Sequence, residues 1–275
     1  MRSMTMELAD GRRLSWAELG SEAATGVLIA NHGTGSSRLE LAIYDEVLGE
    51  LGLRVLAPER PGYGQSTPLH RARSVAEWAA DVAQLIDDLG IATFAVSGFS
   101  GGGPHALAIS ASPALSRRVS RVMLTAALAP EQAPRNAHDL EINKRAGRVS
   151  WQEFVDSYES EDEQPEMSPA DKEAFAAPAY LEAAMATITE GTRQGPAGDA
   201  SDRWAFATPW GFELTAVVQP VDIWHGDADT RVPVSHAYFL EAALPRAKLQ
   251  ILPGEGHFSI GRRTPDLLAG IASDL

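Results

Sequence analysis

From the start of the chain to about residue 130, short apolar runs alternate with helix-patterned segments, and the alternation resumes at Val221. Val27-Leu28-Ile29-Ala30 is a continuous apolar run, the pattern of a strand buried on both faces. Leu53–Ala57, Thr93–Val96, Arg121–Ala127, Val221–Trp224 and Lys248–Leu252 also read as strands. Between them, Leu41, Ile43, Tyr44, Val47, Leu48 and Leu51 recur at helical spacing, and Val75, Trp78, Val82, Leu85, Ile86 and Leu89 form one apolar stripe. Ser74 and Glu77 make a capping box before that stripe, and Gly90 stands where a helix C-terminus needs it. Pro104–Ser112, Val234–Leu244 and Pro265–Ile271 are the remaining helix patterns. Such alternation predicts an α/β fold: a mostly parallel central sheet flanked by helices. Met4–Leu8 and Arg13–Leu19, alternating in polarity around Asp10-Gly11, predict a hairpin at the start.

The rhythm breaks between about Glu131 and Glu213. This stretch is rich in Ala and Glu, carries the acidic run Glu159–Glu163 and shows little strand pattern. Its aromatics (Trp151, Phe154, Tyr158, Phe175, Tyr180, Trp204, Phe206, Trp210, Phe212) need burial, which argues against a disordered linker. The expected organisation is a core domain of residues 1–130 and 214–275 with a helical insertion, 131–213, lying over it. The acidic run reads as a solvated face.

Charge narrows the function. The 275 residues hold 23 Lys and Arg against 37 Asp and Glu, a net charge of −14. So acidic a surface repels phosphate backbones and anionic bilayers, so neither nucleic acid nor a membrane is an expected partner. With no cysteine there is no disulfide, Cys nucleophile or Cys-ligated metal, which fits a reducing compartment. Met1–Glu7 lacks the apolar stretch of a secretory signal, and no apolar run approaches the ~18–20 residues that span a bilayer. The expectation is a soluble, cytoplasmic protein.

The sharpest chemical signal is Gly98-Phe99-Ser100-Gly101-Gly102, set between a predicted strand and a predicted helix. That is the context of a G-x-S-x-G nucleophile elbow, where a strand reverses sharply into a helix and neighbouring positions must be small. A plain turn or a phosphate-cradling loop are the alternatives; a P-loop is excluded because no Lys follows the glycines. A serine hydroxyl needs a base, normally a His held by a carboxylate. His225-Gly226-Asp227-Ala228-Asp229 follows the strand Val221–Trp224, and Gly254-Glu255-Gly256-His257-Phe258 follows the strand Lys248–Leu252. Both loops therefore open on the sheet edge that carries Ser100.

With these two loops, His32-Gly33-Thr34-Gly35 and Arg60-Pro61-Gly62-Tyr63-Gly64-Gln65-Ser66, the chain resembles the α/β-hydrolase superfamily over nearly its whole length. The insertion would be that family's variable cap. The resemblance implies Ser100 as nucleophile, Asp229 as the acid and His257 as the base. In the family pattern the acid stands three residues after the Gly, at Asp229; Asp227 then braces the loop or faces solvent. The resemblance further implies an oxyanion hole from the backbone N–H of Gly101 and of Thr34, with Gly33 allowing close approach and His32 supporting the loop. Arg60 is expected to anchor its own loop, His225 to cap a strand end and His105 to sit in the core. No sequence feature gives His70, His138 or His236 a partner. The histidines lack metal-binding spacings, a dinucleotide fingerprint fails at Arg38, and no metal or organic cofactor is implied.

The implied activity is a serine hydrolase cleaving a small to medium carboxylic ester, with a small-molecule substrate bearing an apolar acyl or aryl part. Lactone, carbon–carbon bond or aminoacyl hydrolysis and perhydrolysis share the apparatus. A non-catalytic ligand-binding homologue is the reading from another class. Branches that use an Asp nucleophile are disfavoured by Ser100. The sequence leaves the oligomeric state open.

Overall fold

In the computed structural model, which describes residues 1–135, 137–159 and 165–272, eight strands form one sheet. They are β1 (Arg2–Glu7), β2 (Arg13–Gly20), β3 (Gly26–Asn31), β4 (Leu53–Pro58), β5 (Phe94–Phe99), β6 (Val119–Thr125), β7 (Val221–Gly226) and β8 (Ala247–Leu252). Their spatial order is β1-β2-β4-β3-β5-β6-β7-β8. β2 pairs antiparallel with β1 and β4, and every other neighbouring pair is parallel. The predicted hairpin and the mostly parallel sheet are both present.

The apolar runs are continuous because both faces of the sheet are covered. Along β3, Val27 and Ile29 enter one apolar cluster while Leu28 and Ala30 enter another on the opposite side. On β5, Phe94 and Val96 share the first cluster and Ala95 the second. Helices α2 (Trp78–Asp88), α3 (Gly102–Ala111) and α9 (Ser235–Ala243) cover the first face. Helices α1 (Asp45–Glu50) and α10 (Thr264–Ala272) cover the second. Each fully buried Leu, Ile or Val contributes roughly 1.5–3 kcal/mol by leaving water.

Local signals explain the boundaries. Ser74 and Glu77 form the capping box as read, although the first turn, Val75–Glu77, is a 3-10 turn before α2. Gly90 has φ +64° and ends α2. The stretch from Leu41 is less regular than its spacing predicts: a 3-10 turn, Ala42–Tyr44, precedes the short α1, and Ile43 is exposed. Its stripe is wider than the face that meets the sheet.

Between β6 and β7 lie α4 (Ala137–Ala146), α5 (Trp151–Asp156), α6 (Pro169–Ala176), α7 (Pro178–Gly191) and α8 (Ala197–Phe206). Phe154 and Tyr158 pack with Ile142, Ala146 and Ala200 in a small cluster of their own, with Trp204 against it. None of the aromatics singled out in this stretch is exposed. Of the acidic run 159–163, only exposed Glu159 lies within the described residues.

The strand order reverses at β3, whose neighbours are β4 and β5. Loops leaving the C-terminal ends of β3 and β5 diverge there and open a crevice, the usual ligand position in such sheets. The loops after β7 and β8 emerge on the same edge.

Candidate active site

Ser100 follows β5 with φ +51°, a left-handed conformation that costs a non-glycine residue roughly 1–3 kcal/mol. Its surroundings hold it there. The Ser100 N–H donates to the Thr125 carbonyl (2.9 Å), and its own carbonyl accepts from Gly103 (3.0 Å) and Leu128 (3.2 Å). The glycines are needed for contact: a Cβ at Gly98 would lie 2.5 Å from the Gly102 carbonyl oxygen, and one at Gly102 2.0 Å from that of Asn31. A plain turn or a phosphate loop asks for no such strained serine. The turn has the strained strand–turn–helix geometry expected of a nucleophile elbow.

His257 reaches this serine from the loop after β8, with Nε2 3.0 Å from Ser100 Oγ. Its Nδ1 lies 2.8 Å from Asp229 Oδ2, in the loop after β7. Asp229 Oδ1 accepts the N–H groups of Arg231 and Val232, both at 2.8 Å, so one oxygen is fixed by backbone and the other faces the ring. Burial opposes charge on Asp229, yet the His257 charge and hydrogen bond, with the Val232 N–H, hold its carboxyl below the usual carboxylate range. Asp227 is exposed and accepts the Gly254 N–H (2.7 Å), bracing one loop against the next. His225 is fully buried at the strand end, with Nε2 2.8 Å from the Val232 carbonyl and 3.5 Å from Asp229 Oδ2.

Thr34 and Gly101 meet across the crevice: a Cβ built on Gly101 would lie 2.0 Å from Thr34 Oγ1. That hydroxyl oxygen is enclosed and has no hydrogen-bond partner among the described residues. Gly101 caps the N-terminus of α3, where the helix dipole favours negative charge. The loop beneath is braced heavily. His32 Nε2 accepts the Arg60 N–H (3.3 Å), which puts the ring proton on Nδ1, donated to the Gly33 carbonyl (2.8 Å). Arg60 Nη1 donates to the His32 carbonyl (2.6 Å) and Nη2 to that of Gly33 (3.3 Å).

Several neighbours carried no local sequence signal. Asp202, on α8, accepts from Arg60 (2.7 Å) and from the Tyr63 hydroxyl (2.8 Å) and lies 3.7 Å from His105 Nε2. Arg60 therefore anchors its loop as expected, and also ties that loop to the insertion. His105 is buried, with Nδ1 2.9 Å from the Gly101 carbonyl. Burial, then the nearby Arg60 cation, push His32 and His105 well below the ordinary histidine value, so both rings are neutral near pH 7. Glu40 accepts the Gly33 N–H (2.8 Å), and loss of hydration pushes its carboxyl up to about 7. Phe206 of α8 edges over Gly101, and the rings of Phe99 and Phe258 flank His257 at 5.0 and 5.1 Å. His236, without a partner in the sequence reading, accepts the Ala129 N–H (3.0 Å).

Among the described residues no group of three or more His, Asp or Glu is arranged to hold a metal ion. No helix there is long and apolar enough to cross a membrane.

A mostly parallel sheet with a sharply turned serine on its C-terminal edge, faced by a histidine and a buried carboxylate, defines an α/β protein with a candidate catalytic site. A family model of the alpha/beta hydrolase fold matches residues 26–262. The chain belongs to that family. It is 27% identical over 218 residues to a non-heme haloperoxidase of Rhodococcus erythropolis, covering 76% of this chain and 77% of the relative. Among solved structures it superimposes on an enol-lactonase of Burkholderia xenovorans LB400 with TM-score 0.73 at 18% identity, covering 98% of each chain. An esterase of Exiguobacterium antarcticum gives TM-score 0.74 at 16% identity, again covering 98% of each.

Proposed function

We propose that this protein is a serine hydrolase that cleaves a small to medium carboxylic ester through an acyl-enzyme on Ser100. One observation carries the reading: an unbroken hydrogen-bonded chain from Ser100 Oγ to His257 Nε2 (3.0 Å) and from His257 Nδ1 to Asp229 Oδ2 (2.8 Å). Ser100 Oγ attacks the ester carbonyl while His257 Nε2 takes its proton. Asp229 keeps the ring in the tautomer that leaves Nε2 free and stabilises the imidazolium. The tetrahedral oxyanion is held by the backbone N–H groups of Gly101 and Thr34, each such donor lowering the barrier by roughly 2.7–4 kcal/mol. The tetrahedral intermediate collapses, the C–O bond to the alcohol breaks, and His257 returns its proton to the leaving oxygen. Water then attacks the acyl-enzyme by the same proton route, releasing the acid and restoring Ser100. No step draws on a metal or an organic cofactor.

In this reading residues 131–213 act as the cap, and the aromatic edges of Phe99, Phe206 and Phe258 favour an apolar acyl or aryl group. The substrate is a small molecule, and the working location is the cytoplasm. The named activities of the relatives, haloperoxidase and enol-lactonase, support a second arm: peroxide in place of water, or a cyclic ester in place of an open one, would use the same groups.

The test is a panel of short-chain aryl esters, lactones and aminoacyl amides, run on wild type and Ser100→Ala together. Turnover of an ester or lactone that vanishes in Ser100→Ala, with fluorophosphonate labelling at Ser100, is the expected result. Wild-type rates in Ser100→Ala, or no labelling of the wild type, would falsify the reading and favour a binding protein.

A further inference from the structure

Apart from Asp229, the firmest hold on the histidine loop comes from the insertion. Asp171, 1% exposed, stands in the first turn of α6, and its carboxylate collects three consecutive backbone N–H groups 86 to 88 residues further along the chain. Oδ2 accepts from His257 (3.1 Å), and Oδ1 accepts from Phe258 (2.8 Å) and Ser259 (2.7 Å). Ser168, the N-cap of α6, accepts the N–H of Asp171 through Oγ (3.1 Å) and so fixes the carboxylate's own backbone.

The loop is built to receive it. A Cβ at Gly256 would lie 2.1 Å from Ser168 Oγ and 2.5 Å from Asp171 Oδ2, so only glycine lets the two segments meet. The Gly256 N–H donates to Ser259 Oγ (2.8 Å), and the Tyr180 hydroxyl of α7 donates to the Phe258 carbonyl (2.6 Å). Asp229 orients the ring of His257, but nothing in that contact sets where the backbone of residue 257 stands. Asp171 does so directly, through hydrogen bonds strengthened by its charge.

We propose that Asp171 is the positioning residue of His257, through which the insertion sets the Nε2–Oγ distance. This rests on the role of His257 as general base given above. A base must stand within hydrogen-bond reach of the proton it takes, and a shift of about 1 Å costs on the order of 100-fold in rate. The carboxylate touches no reacting atom.

Asp171→Asn tests it with little change in shape. The amide oxygen still accepts from Phe258 and Ser259, while the amide N–H groups oppose the N–H of His257, donor against donor. Rates are measured per folded molecule, the folded fraction read from near-ultraviolet circular dichroism, on an ester that wild type hydrolyses, with His257→Ala alongside. The expected result is kcat lowered roughly 10- to 100-fold with KM within about twofold. An Asp171→Asn protein with unchanged kcat per folded molecule, only less of it folded, overturns the proposal. Should Asp171→Asn not fold, Ser168→Ala releases the start of α6 and keeps the carboxylate: a lowered kcat at constant KM supports positioning, and an unchanged kcat overturns it. If His257→Ala matches wild type, the base assignment itself falls; if His257→Ala is inactive and Asp171→Asn is not, the positioning role alone falls.

Discussion

At the elbow, each residue is constrained by a contact that can be named. A methyl group at residue 102 would meet the Asn31 carbonyl oxygen at 2.0 Å, and backbone cannot yield as a side chain can. Gly102→Ala is therefore expected to open the turn and, under the proposed mechanism, to lower ester turnover at least about 100-fold, the cost of displacing a reacting group by about 1 Å. Asp229→Asn asks a different question. Both oxygens of Asp229 accept, Oδ1 from two backbone N–H groups and Oδ2 from the ring, and the amide replaces one of them with a donor. That amide must face a donor with a donor, and under the proposed mechanism kcat is expected to fall roughly 10⁴-fold with the fold intact, as a wrong tautomer does in serine proteases. Near-wild-type kcat in that variant would show that Asp229 does not set the ring. That Ser100, Asp229 and His257 lie in loops on one sheet edge was legible in the sequence, because each follows a readable strand; Asp229 was singled out over Asp227 by the family pattern. The contacts of Glu40, in a loop, and of Asp171 and Asp202, on helices, were not legible, since an isolated acidic residue in such a stretch reads as solvent-facing.

Among the elements, α8 ties residues 131–213 to the loop after β3 through Arg60. Arg60 and Asp202 are buried together, and the guanidinium also serves the carbonyls of His32 and Gly33. Asp202→Ala leaves that cation without its carboxylate, a loss that costs roughly 3–5 kcal/mol when a buried pair is broken on one side. A lowered urea midpoint is expected, and an unchanged midpoint would show that water replaces the carboxylate at no cost. The Arg60 loop was readable as an anchored turn from its Pro and Gly residues. Its partner, 142 residues later, was not: pairing across such a separation leaves no periodic trace.

Taken whole, the molecule is expected to lose stability in mild acid. His32, His105, His225 and His236 are held neutral chiefly by burial, and His236 is pushed down to about 4. Between that value and the ordinary ~6.5 of histidine, the unfolded chain binds more protons than the folded one, so stability falls as pH drops through the window. For His236 alone the full effect is roughly 3 kcal/mol. Glu40 works the other way: its folded value, about 7, lies above the unfolded one, so its contribution is present in acid and lost as pH rises. Four histidines outweigh one glutamate. Urea midpoints at pH 7.5, 6 and 5 should fall in that order, and a flat series would mean that these rings take protons without unfolding.

By itself the sequence determined the sheet, the elbow and the two loops that bring an acid and a histidine to one edge. Each of these follows from local spacing, turn chemistry or the alternation of apolar runs, which act over a few residues. Only the tertiary structure decided how the insertion engages the site: Asp171 on the histidine loop, Asp202 on Arg60 and Phe206 over Gly101. Those contacts depend on how helices pack across the crevice, and packing couples residues through space, where chain distance carries no information.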